Sequence, residues 1–403
     1  MDRISEIVLT DLRYQIDALG RDGGAIGPSV YDTAQVLRLA PPSGEHKWAA
    51  LDWLIQQQHD DGGWGGANVP RARDVPTLAA VLALLPYTNR RSTRQAVEHG
   101  MAFLRRQSSQ WAGALPDDLP VGVELLLPTL LDEAARHSLD LPHDAYKSLF
   151  ALGRRRRRLI EQIKPGPASP AAHSWEAWGV EPDPGILDNP GSVGHNPAAT
   201  AAWLYAAAAR PDLAAQREQA QHYLAGAAGA TGVNIAGVVP TVWPITRFEQ
   251  SNALYALLIG GILHHPALRD VVVTQVAALG RAMRPGGLGF SDWFAPDGDD
   301  TAEALAVLRA CDQPMSIATM QHFACEDHYC AYPGELQSSI SVTTHAAHVL
   351  ASCGADNRSA LAYLLERQLP DGRWPGDKWN GAWLYTTSHA LVVLCHTPNH
   401  NAV

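Results

Sequence analysis

The segment QHDDGGW (Gln58–Trp64) recurs later in the chain as QLPDGRW (Gln368–Trp374), and both copies fit the template Gln-x-x-Asp-Gly-x-Trp. Each copy follows an apolar stretch with helical spacing, LDWLIQQQ before the first and LAYLLERQ before the second. Asp-Gly is a turn dipeptide, so a helix ends, the chain turns, and a tryptophan is placed beside the next helix. A weaker copy is RPGGLGF (Arg284–Phe290). Repeats of this kind predict stacked helical hairpins.

The rest of the chain alternates alanine- and leucine-rich helical segments with loops rich in Gly, Pro and Asp, and it shows almost no period-2 strand pattern. Alanine-rich helices can pack closely, which suits concentric rings of helices. A chain of 403 residues is also too long for one ordinary core. We therefore expect an all-α fold of two helical barrels, with the stretch from Ala227 to Pro240 as the main boundary.

The composition argues against several classes of protein. The net charge of −10 argues against a nucleic-acid partner, and the basic run Arg154–Arg158 is interpreted as a solvated helix face. No apolar stretch approaches the roughly 18–20 residues of a membrane span, and the first residues (MDRISEIVL) lack the layout of a signal peptide. The five cysteines are sparse and odd in number, which favours a reducing cytoplasm. We expect a cytoplasmic protein without a transmembrane segment.

Three carboxylates fall within four positions, at Asp297, Asp299 and Asp300, just before the helical segment TAEALAVLRA. Each ionised carboxylate disfavours the ionisation of its neighbours, so one of them can stay protonated near neutral pH. A neutral carboxylic acid that is ready to give up its proton is what acid-initiated chemistry requires. Helix capping is the alternative interpretation, because Asp300–Glu303 has capping-box spacing. Capping accounts for one aspartate but not for three.

An ordered series of short motifs runs along nearly the whole chain. It comprises Ser29–Ala34, Val121–Glu124 with Pro128–Leu131, His173–Glu176, Pro197–Ala201, Asp297–Ala302, Glu326–His328, Tyr332–Glu335 and Asp377–Trp379. This series resembles the class II terpene cyclases, in particular the bacterial diterpene branch that makes bicyclic diphosphates. Asp297–Ala302 matches the Asp-x-Asp-Asp-Thr-Ala acid motif of that family in full.

The resemblance implies two α-barrel domains, called β and γ, with γ inserted after the first helix of β. The expected bounds are residues 1–22 for that first helix, 23–239 for γ and 240–403 for the rest of β. It also implies that an all-trans prenyl diphosphate is cyclised with its diphosphate retained. Asp299 would protonate the terminal alkene, and Asp297 and Asp300 would hold its proton in the reactive orientation.

Protonation of an alkene creates a carbocation, which needs a dry pocket and electron-rich aromatic faces. The aromatic candidates near the named motifs are Trp243, Phe248, Trp293, Phe294, Tyr329, Trp379, Trp383 and Tyr385. Packing in the core is the alternative for most of them. For the base that ends cyclisation, the resemblance to the plant ent-copalyl branch indicates His173, whose asparagine partner position appears as Thr241 here. A packed histidine is the alternative at this position.

The diphosphate needs cations and Mg²⁺. Lys378, Arg247 and Arg73 are the candidate substrate-binding cations. Relatives carry an acidic Mg²⁺-binding segment after the first repeat, and the corresponding segment here holds one acid, Asp74. Asp74 is therefore the candidate metal ligand.

The leading hypothesis is a class II diterpene cyclase that converts geranylgeranyl diphosphate to a bicyclic diphosphate of the clerodane, halimadane or labdane type. The alternatives are a farnesyl diphosphate cyclase of the drimane type and an inactive prenyl-diphosphate-binding protein. Class I activity is not expected, since no Asp-Asp-x-x-Asp motif is present, and zinc does not suit the spacing of His322–Cys330. A downstream class I terpene synthase and a homodimer are considered as partners. Relatives of this branch continue past the helix around Ser388, so we expect the closing helices of β to be short here.

Overall fold

The computed structural model describes residues 3–66, 69–116, 119–335 and 337–395. In these ranges the secondary structure is helical, with isolated β-bridges and no β-strand. The α-helices are α1 (Arg3–Ala18), α2 (Val30–Leu39), α3 (Glu45–Gln56), α4 (Asp74–Leu84), α5 (Arg91–Gln107), α6 (Val123–Arg136), α7 (Lys147–Ile163), α8 (Pro197–Ala206), α9 (Ala214–Ala230), α10 (Thr246–Ile259), α11 (Arg269–Ala282), α12 (Gly298–Ala310), α13 (Ile340–Ser352), α14 (Arg358–Glu366) and α15 (Trp383–Cys395). The predicted all-α class is confirmed.

Contacts divide the chain into two compact units. The first unit combines Met1–Gly24 with Ile245–Val403, and the second unit is Ala25–Pro244. The two changes of unit fall shortly after positions 22 and 239, where the sequence placed the domain bounds. None of the helices in the described ranges is long and apolar enough to span a membrane.

In the second unit, successive contacts among five helices close a ring. The ring runs through α2, α4, α6, the 3₁₀ helix Ala172–Ala177, and α8, which returns to α2. The outer helices pack against it, α3 on α2, α5 on α4, α7 on α6 and α9 on α8. Alanines such as Ala79, Ala199 and Ala201 are fully buried, and their small side chains let the inner helices approach closely.

In the first unit, α10, α12, α13 and α15 pack in succession. α11 lies against α10 and α12, α14 lies against α13, and α1 lies against α11. Ring contacts also bring α15 beside α10, because Tyr255 and His389 have ring centroids 6.2 Å apart. The inner helices of this unit therefore surround a common interior.

The first Gln-x-x-Asp-Gly-x-Trp copy forms a hydrogen-bonded module between two helices. Gln58 Nε2 donates to the Gly62 carbonyl at 2.8 Å, which closes the turn. The indole of Trp64 is fully buried and its Nε1 donates to Leu54 O at 2.7 Å, back on the preceding helix. The Trp64 amide donates to Thr77 Oγ1 at 2.9 Å, on the following helix. The module thus fixes the turn to the helices on both of its sides.

The second copy repeats these bonds, and the segment before the aspartates Asp297–Asp300 shares one of them. Trp374 Nε1 donates to Leu364 O at 2.7 Å, and the Trp374 amide donates to Thr387 Oγ1 at 3.0 Å. In the weaker copy, the Leu288 amide donates to Thr301 Oγ1 at 2.9 Å. Thr301 follows the aspartates directly, so the bond that anchors each tryptophan also positions the start of the acid helix α12.

Candidate active site

The acid helix begins with a closely packed backbone. Asp297 is the N-cap residue of α12, and its Oδ1 accepts from the Asp300 amide at 2.8 Å. The Gly298 amide donates to Ala331 O at 2.8 Å. A Cβ at Gly298 would lie 2.3 Å from Cys330 O, so this approach requires glycine. Contacts with the backbone of Cys330 and Ala331 therefore fix the first turn of α12, and Asp299 projects from this fixed backbone.

Asp299 is linked to two histidines that the sequence did not single out. Its Oδ1 lies 2.7 Å from Nδ1 of His345 on α13, and Nε2 of His345 lies 2.8 Å from Nδ1 of His389 on α15. The Asp299 side chain is 26% exposed, whereas the His345 side chain has no exposed surface. Three consecutive inner helices thus supply an aspartate–histidine–histidine chain in which His345 is buried between two partly exposed side chains.

The carboxyl groups beside Asp299 are buried and disfavour ionisation. Burial and the neighbouring carboxylates hold the pKa of Asp297 well above its usual range. Burial raises the pKa of Asp300 to about 7, although its Oδ1 accepts from Ser251 Oγ at 3.0 Å. The pKa of Glu303 is also raised well above its usual range by burial, with Asp299 and Asp300 adding to it. These groups form a cluster that retains protons near neutral pH.

Aromatic rings lie around the hydrogen-bonded series Asp299–His345–His389. Tyr385 stacks on His389, with ring centroids 4.1 Å apart, and Tyr255 lies edge-on to His345 at 4.9 Å. Burial and the nearby carboxylates raise the pKa of Tyr332, which lies against Trp379 at 6.0 Å. Of these rings, the sequence indicated Tyr385 and Trp379 but missed both Tyr255 and Tyr332.

The other aromatic candidates of the first unit lie in different surroundings. Phe248 and Phe294 both pack against Phe290, at 6.0 and 5.3 Å, and Phe294 is 1% exposed. Trp293 and Trp383 are exposed at 47% and 43%. Core packing therefore accounts for the position of Phe294. The exposure of Trp293 and Trp383 does not suit the lining of a pocket that excludes water.

Two further candidates lie elsewhere in their units. The Tyr329 side chain is buried, and its backbone amide donates to Thr343 Oγ1 at 3.1 Å, one more instance of a threonine that anchors a turn. Trp243 belongs to the second unit and lies 5.6 Å from the ring of Tyr223. A ring contact thus accounts for the position of Trp243, and a backbone hydrogen bond holds the segment that carries Tyr329.

Both candidate cations of the first unit are already paired with carboxylates. Lys378 Nζ lies 3.0 Å from Oε1 of Glu335, and both side chains are largely buried. Arg247 forms two hydrogen bonds of 2.7 Å to the carboxylate of Asp292. Part of their positive charge is therefore neutralised within the protein.

Arg73 and Asp74 lie at the first repeat in the second unit. Arg73 donates two hydrogen bonds to Asp61 of the repeat, at 2.7 and 2.8 Å, and stacks over Phe103 at 4.5 Å. Asp74 is fully buried, and burial raises its pKa to about 7. Among the described residues, no cluster of three metal-ligand atoms includes Asp74. Mg²⁺ requires ionised oxygens in octahedral geometry, usually with waters, and the surroundings of Asp74 do not fit it.

The second unit places His173 beside an asparagine. Nδ1 of His173 lies 2.9 Å from Gly194 O, and Nε2 lies 3.2 Å from Nδ2 of Asn196. The same amide nitrogen donates to Asp32 Oδ1 and to the Thr241 carbonyl, both at 3.1 Å. Burial lowers the pKa of His173 to about 4, so the ring is neutral with Nδ1–H donating to the carbonyl. The sequence missed Asn196, which is recognisable only as the N-cap residue of α8.

Comparison with characterised proteins gives long, nearly continuous matches. The chain is 48% identical over 417 residues to (+)-kolavenyl diphosphate synthase from Herpetosiphon aurantiacus, which covers 100% of this chain and 80% of that protein. It is 32% identical to ent-copalyl diphosphate synthase from a Streptomyces species, covering 92% of this chain and 72% of that protein. No protein-family model matches the chain.

Solved structures show the same architecture. The ent-copalyl diphosphate synthase from Streptomyces platensis matches with a TM-score of 0.74 and 28% identity, covering 98% of this chain and 80% of that one. Abietadiene synthase from Abies grandis matches with a TM-score of 0.73 and 22% identity, covering 96% of this chain and 51% of that one. These enzymes confirm the predicted fold of α-helical barrels. Together with the identity to the two diphosphate synthases, they establish that the chain belongs to the class II diterpene cyclases.

Proposed function

We propose that this enzyme converts geranylgeranyl diphosphate to a bicyclic diterpenyl diphosphate of the clerodane, halimadane or labdane type, with Asp299 as the general acid. The observation that carries the acid assignment is the position of Asp299. It is the partly exposed member of a carboxyl cluster whose other members are buried, and a histidine is bonded to its Oδ1. The 48% identity to a kolavenyl diphosphate synthase supports the diterpene substrate.

The geometry supports the following first step. His345 donates from Nδ1 to Oδ1 of Asp299, which leaves the acid proton on Oδ2. The terminal alkene takes this proton: the O–H bond breaks, a C–H bond forms at one alkene carbon, and the other becomes a tertiary cation. The remaining carboxylate keeps its hydrogen bond to His345, and such charge-assisted bonds are stronger than neutral ones. Tyr385 and Trp379 are the proposed aromatic faces for the cation.

The neighbouring carboxyls have a supporting role in this proposal. Asp297 caps α12 through the Asp300 amide, and Asp300 is held by Ser251. Because both have raised pKa values, they place little negative charge beside Asp299. We propose that these hydrogen bonds fix the backbone at Asp299 and so keep its side chain in the reactive orientation.

The assignments of the base that ends cyclisation and of the cations that bind the diphosphate remain predictions. We propose that His173 accepts the last proton of cyclisation on Nε2, which releases the hydrogen bond from Asn196. Lys378, Arg247 and Arg73 are proposed to contribute to the field around the diphosphate from within their ion pairs. The domain assignment to β and γ, the cytoplasmic location, a homodimer and a downstream class I synthase are part of the same proposal. Mg²⁺ is also part of this proposal, and no reaction step is assigned to the ion.

A product assay with matched variants tests the proposal. The protein is incubated with geranylgeranyl or farnesyl diphosphate, with Mg²⁺ and separately with EDTA, and dephosphorylated products are analysed by gas chromatography and mass spectrometry. We expect a bicyclic C20 alcohol, its loss in Asp299→Asn, and its persistence in Asp312→Asn, an exposed aspartate just beyond the same helix. Turnover by Asp299→Asn at the wild-type rate would refute the acid assignment. A C15 product in place of the C20 alcohol would identify farnesyl diphosphate as the substrate.

A further inference from the structure

We propose that Asp188 is a positioning residue for the base His173. Its carboxylate holds the loop Asp188–Asn196 in the shape that places a carbonyl at Nδ1 of His173 and an amide at Nε2, so that Nε2 keeps its lone pair for a proton from the cyclised cation. This inference rests on the proposed function, since it concerns the base assigned there.

The carboxylate of Asp188 lies at the centre of a buried turn, where its side chain is 1% exposed. Oδ1 accepts from the hydroxyl of Ser192 and from the amide of the same residue, the latter at 2.9 Å. Oδ2 accepts from the amide of His195 at 3.1 Å and lies 2.7 Å from Nδ1 of that ring. Each oxygen thus joins one backbone N–H and one side chain, and together they fix the course of the loop.

The loop held in this way reaches both nitrogens of the His173 ring. The Gly194 carbonyl lies 2.9 Å from Nδ1, and Nδ2 of Asn196 lies 3.2 Å from Nε2. These two residues flank His195, which is bonded directly to Asp188. A Cβ on Gly194 would lie 2.4 Å from the backbone nitrogen of His173, so the loop lies against the backbone of the base. A shift of the loop therefore changes both contacts of the ring.

The Gly194 carbonyl decides which nitrogen of His173 carries the hydrogen. A carbonyl oxygen only accepts hydrogen bonds, so this contact requires a proton on Nδ1. Burial lowers the pKa of His173 to about 4, so the ring is neutral and its lone pair is on Nε2. When the carbonyl moves away, the proton is free to lie on Nε2 instead. A ring in that state has no lone pair at the nitrogen that is proposed to accept the last proton.

Replacement of Asp188 with asparagine tests the carboxylate at nearly unchanged volume. Each carboxylate oxygen accepts one backbone amide, from Ser192 or from His195. Whichever way the asparagine side chain turns, its NH₂ group meets one of these N–H groups, and a buried donor loses its partner. Ser192→Ala is the milder variant, because it removes only the hydroxyl donor from Oδ1.

Two controls in the same unit separate positioning from stability. Leu149→Ala leaves a cavity beneath the outer helix α7, where the leucine is fully buried. Asp183→Asn removes the charge of an exposed aspartate whose carboxylate accepts from the Gly185 amide. The first control should unfold at lower denaturant than wild type, and the second should match wild type. Neither should alter the state of His173 or the product.

The state of His173 is measured by NMR of protein with ¹⁵N-labelled histidine. In wild type and both controls, Nδ1 should show the shift of a protonated nitrogen and Nε2 that of an unprotonated one. In Asp188→Asn, the ratio of the form with the proton on Nε2 to the wild-type form should rise by about 10-fold or more, the effect of one buried hydrogen bond. Ser192→Ala should change this ratio in the same direction by a smaller factor.

The product assay gives a second readout. The share of bicyclic products that arise by loss of a different proton should rise in Asp188→Asn and, to a smaller extent, in Ser192→Ala. The consumption of substrate should change little, because the acid that starts cyclisation is a different group. A loss of stability alone lowers the amount of active enzyme and leaves the ratio of products unchanged.

An unchanged tautomer and product ratio in whichever of the two variants folds would overturn the proposal. Wild-type His173 with its proton on Nε2 would overturn it as well, and so would an equal change in Leu149→Ala, because loss of stability would then be the cause. Failure of the proposed function is distinguishable from these results. If His173→Gln forms the wild-type product, His173 is not the base, whereas the spectra still report whether Asp188 sets its tautomer.

Discussion

Replacing Asp300 with asparagine is expected to stabilise the folded chain above pH 7 while lowering cyclase activity. Asp300 is 1% exposed, and one of its oxygens accepts from Ser251. The amide oxygen of asparagine can accept the same bond, and the amide has nearly the same shape as a protonated carboxyl group. The substitution therefore removes one titrating group from the buried cluster and leaves the packing almost unchanged.

The magnitude follows from the pKa of Asp300, which burial raises from 3.8 to about 7. Each pKa unit corresponds to about 1.4 kcal/mol, so a shift of about three units costs ~4 kcal/mol when the group is ionised. The folded-state pKa is above the unfolded one, so the contribution is fully present below pH 4 and is lost as the pH rises through 7. Because Asp297 shares the charge of the pair, we expect a gain of about 2–4 kcal/mol at pH 8.5 for Asp300→Asn.

Denaturant unfolding at pH 5 and pH 8.5 measures this difference. Wild type, Asp300→Asn and the control Asp312→Asn are compared, because the Asp312 side chain is 95% exposed and should give no pH-dependent difference. The stabilisation of Asp300→Asn should be small at pH 5 and large at pH 8.5, while its kcat falls at both values. A stability difference that is equal at the two pH values would refute the reasoning, since it would show that Asp300 is ionised in the folded state throughout.

Three further substitutions test the packing, hydrogen bonding and buried charge of other parts of the structure. Gly298→Ala should destabilise the protein by about 1–3 kcal/mol in thermal melts, since the new Cβ would meet Cys330 O at 2.3 Å, and its activity should fall with the displaced acid helix; a wild-type melting temperature would contradict this. Trp64→Phe should cost about 1–3 kcal/mol in denaturant unfolding because Leu54 O loses its buried donor, and a smaller loss would mean that water replaces the indole. Glu176→Gln should raise the melting temperature at pH 9 but not at pH 5, because burial raises the pKa of Glu176 to about 8; an equal effect at both pH values would show that its charge is not the cause.

The sequence predicted the features that depend on neighbours along the chain. The three aspartates of α12 stand within four positions, and the turn and tryptophan of each repeat are equally local. The helical class followed from periodicity, and the order of the motifs identified the family. Each of these signals is contained in a short segment and does not require knowledge of the packing.

The rest of the acid cluster depends on packing between helices. His345 lies 46 positions after Asp299, and Ser251 lies 49 positions before Asp300, so no local pattern joins them. A histidine in the alanine-rich segment SVTTHAAHVLAS was the available signal, since a buried histidine in such a segment needs a polar partner. Lys378 was chosen for its charge, yet its ion pair with Glu335 depends on the fold of two loops. Charge alone could not distinguish a substrate ligand from a structural pair.

The threonines that anchor the three modules place Asp299 in register with one residue of each other module. In each module a residue after the turn bonds to a threonine 13 positions later, at Thr77, Thr301 and Thr387. Counting back two residues from these threonines gives Val75, Asp299 and Tyr385. Asp299 thus occupies the site that a buried valine fills in the first copy, and that the ring stacked on His389 fills in the third. One repeated position thus carries an apolar, an acidic and an aromatic side chain on the same hydrogen-bonded framework, so the side chain alone distinguishes the position of the proposed acid from the other two.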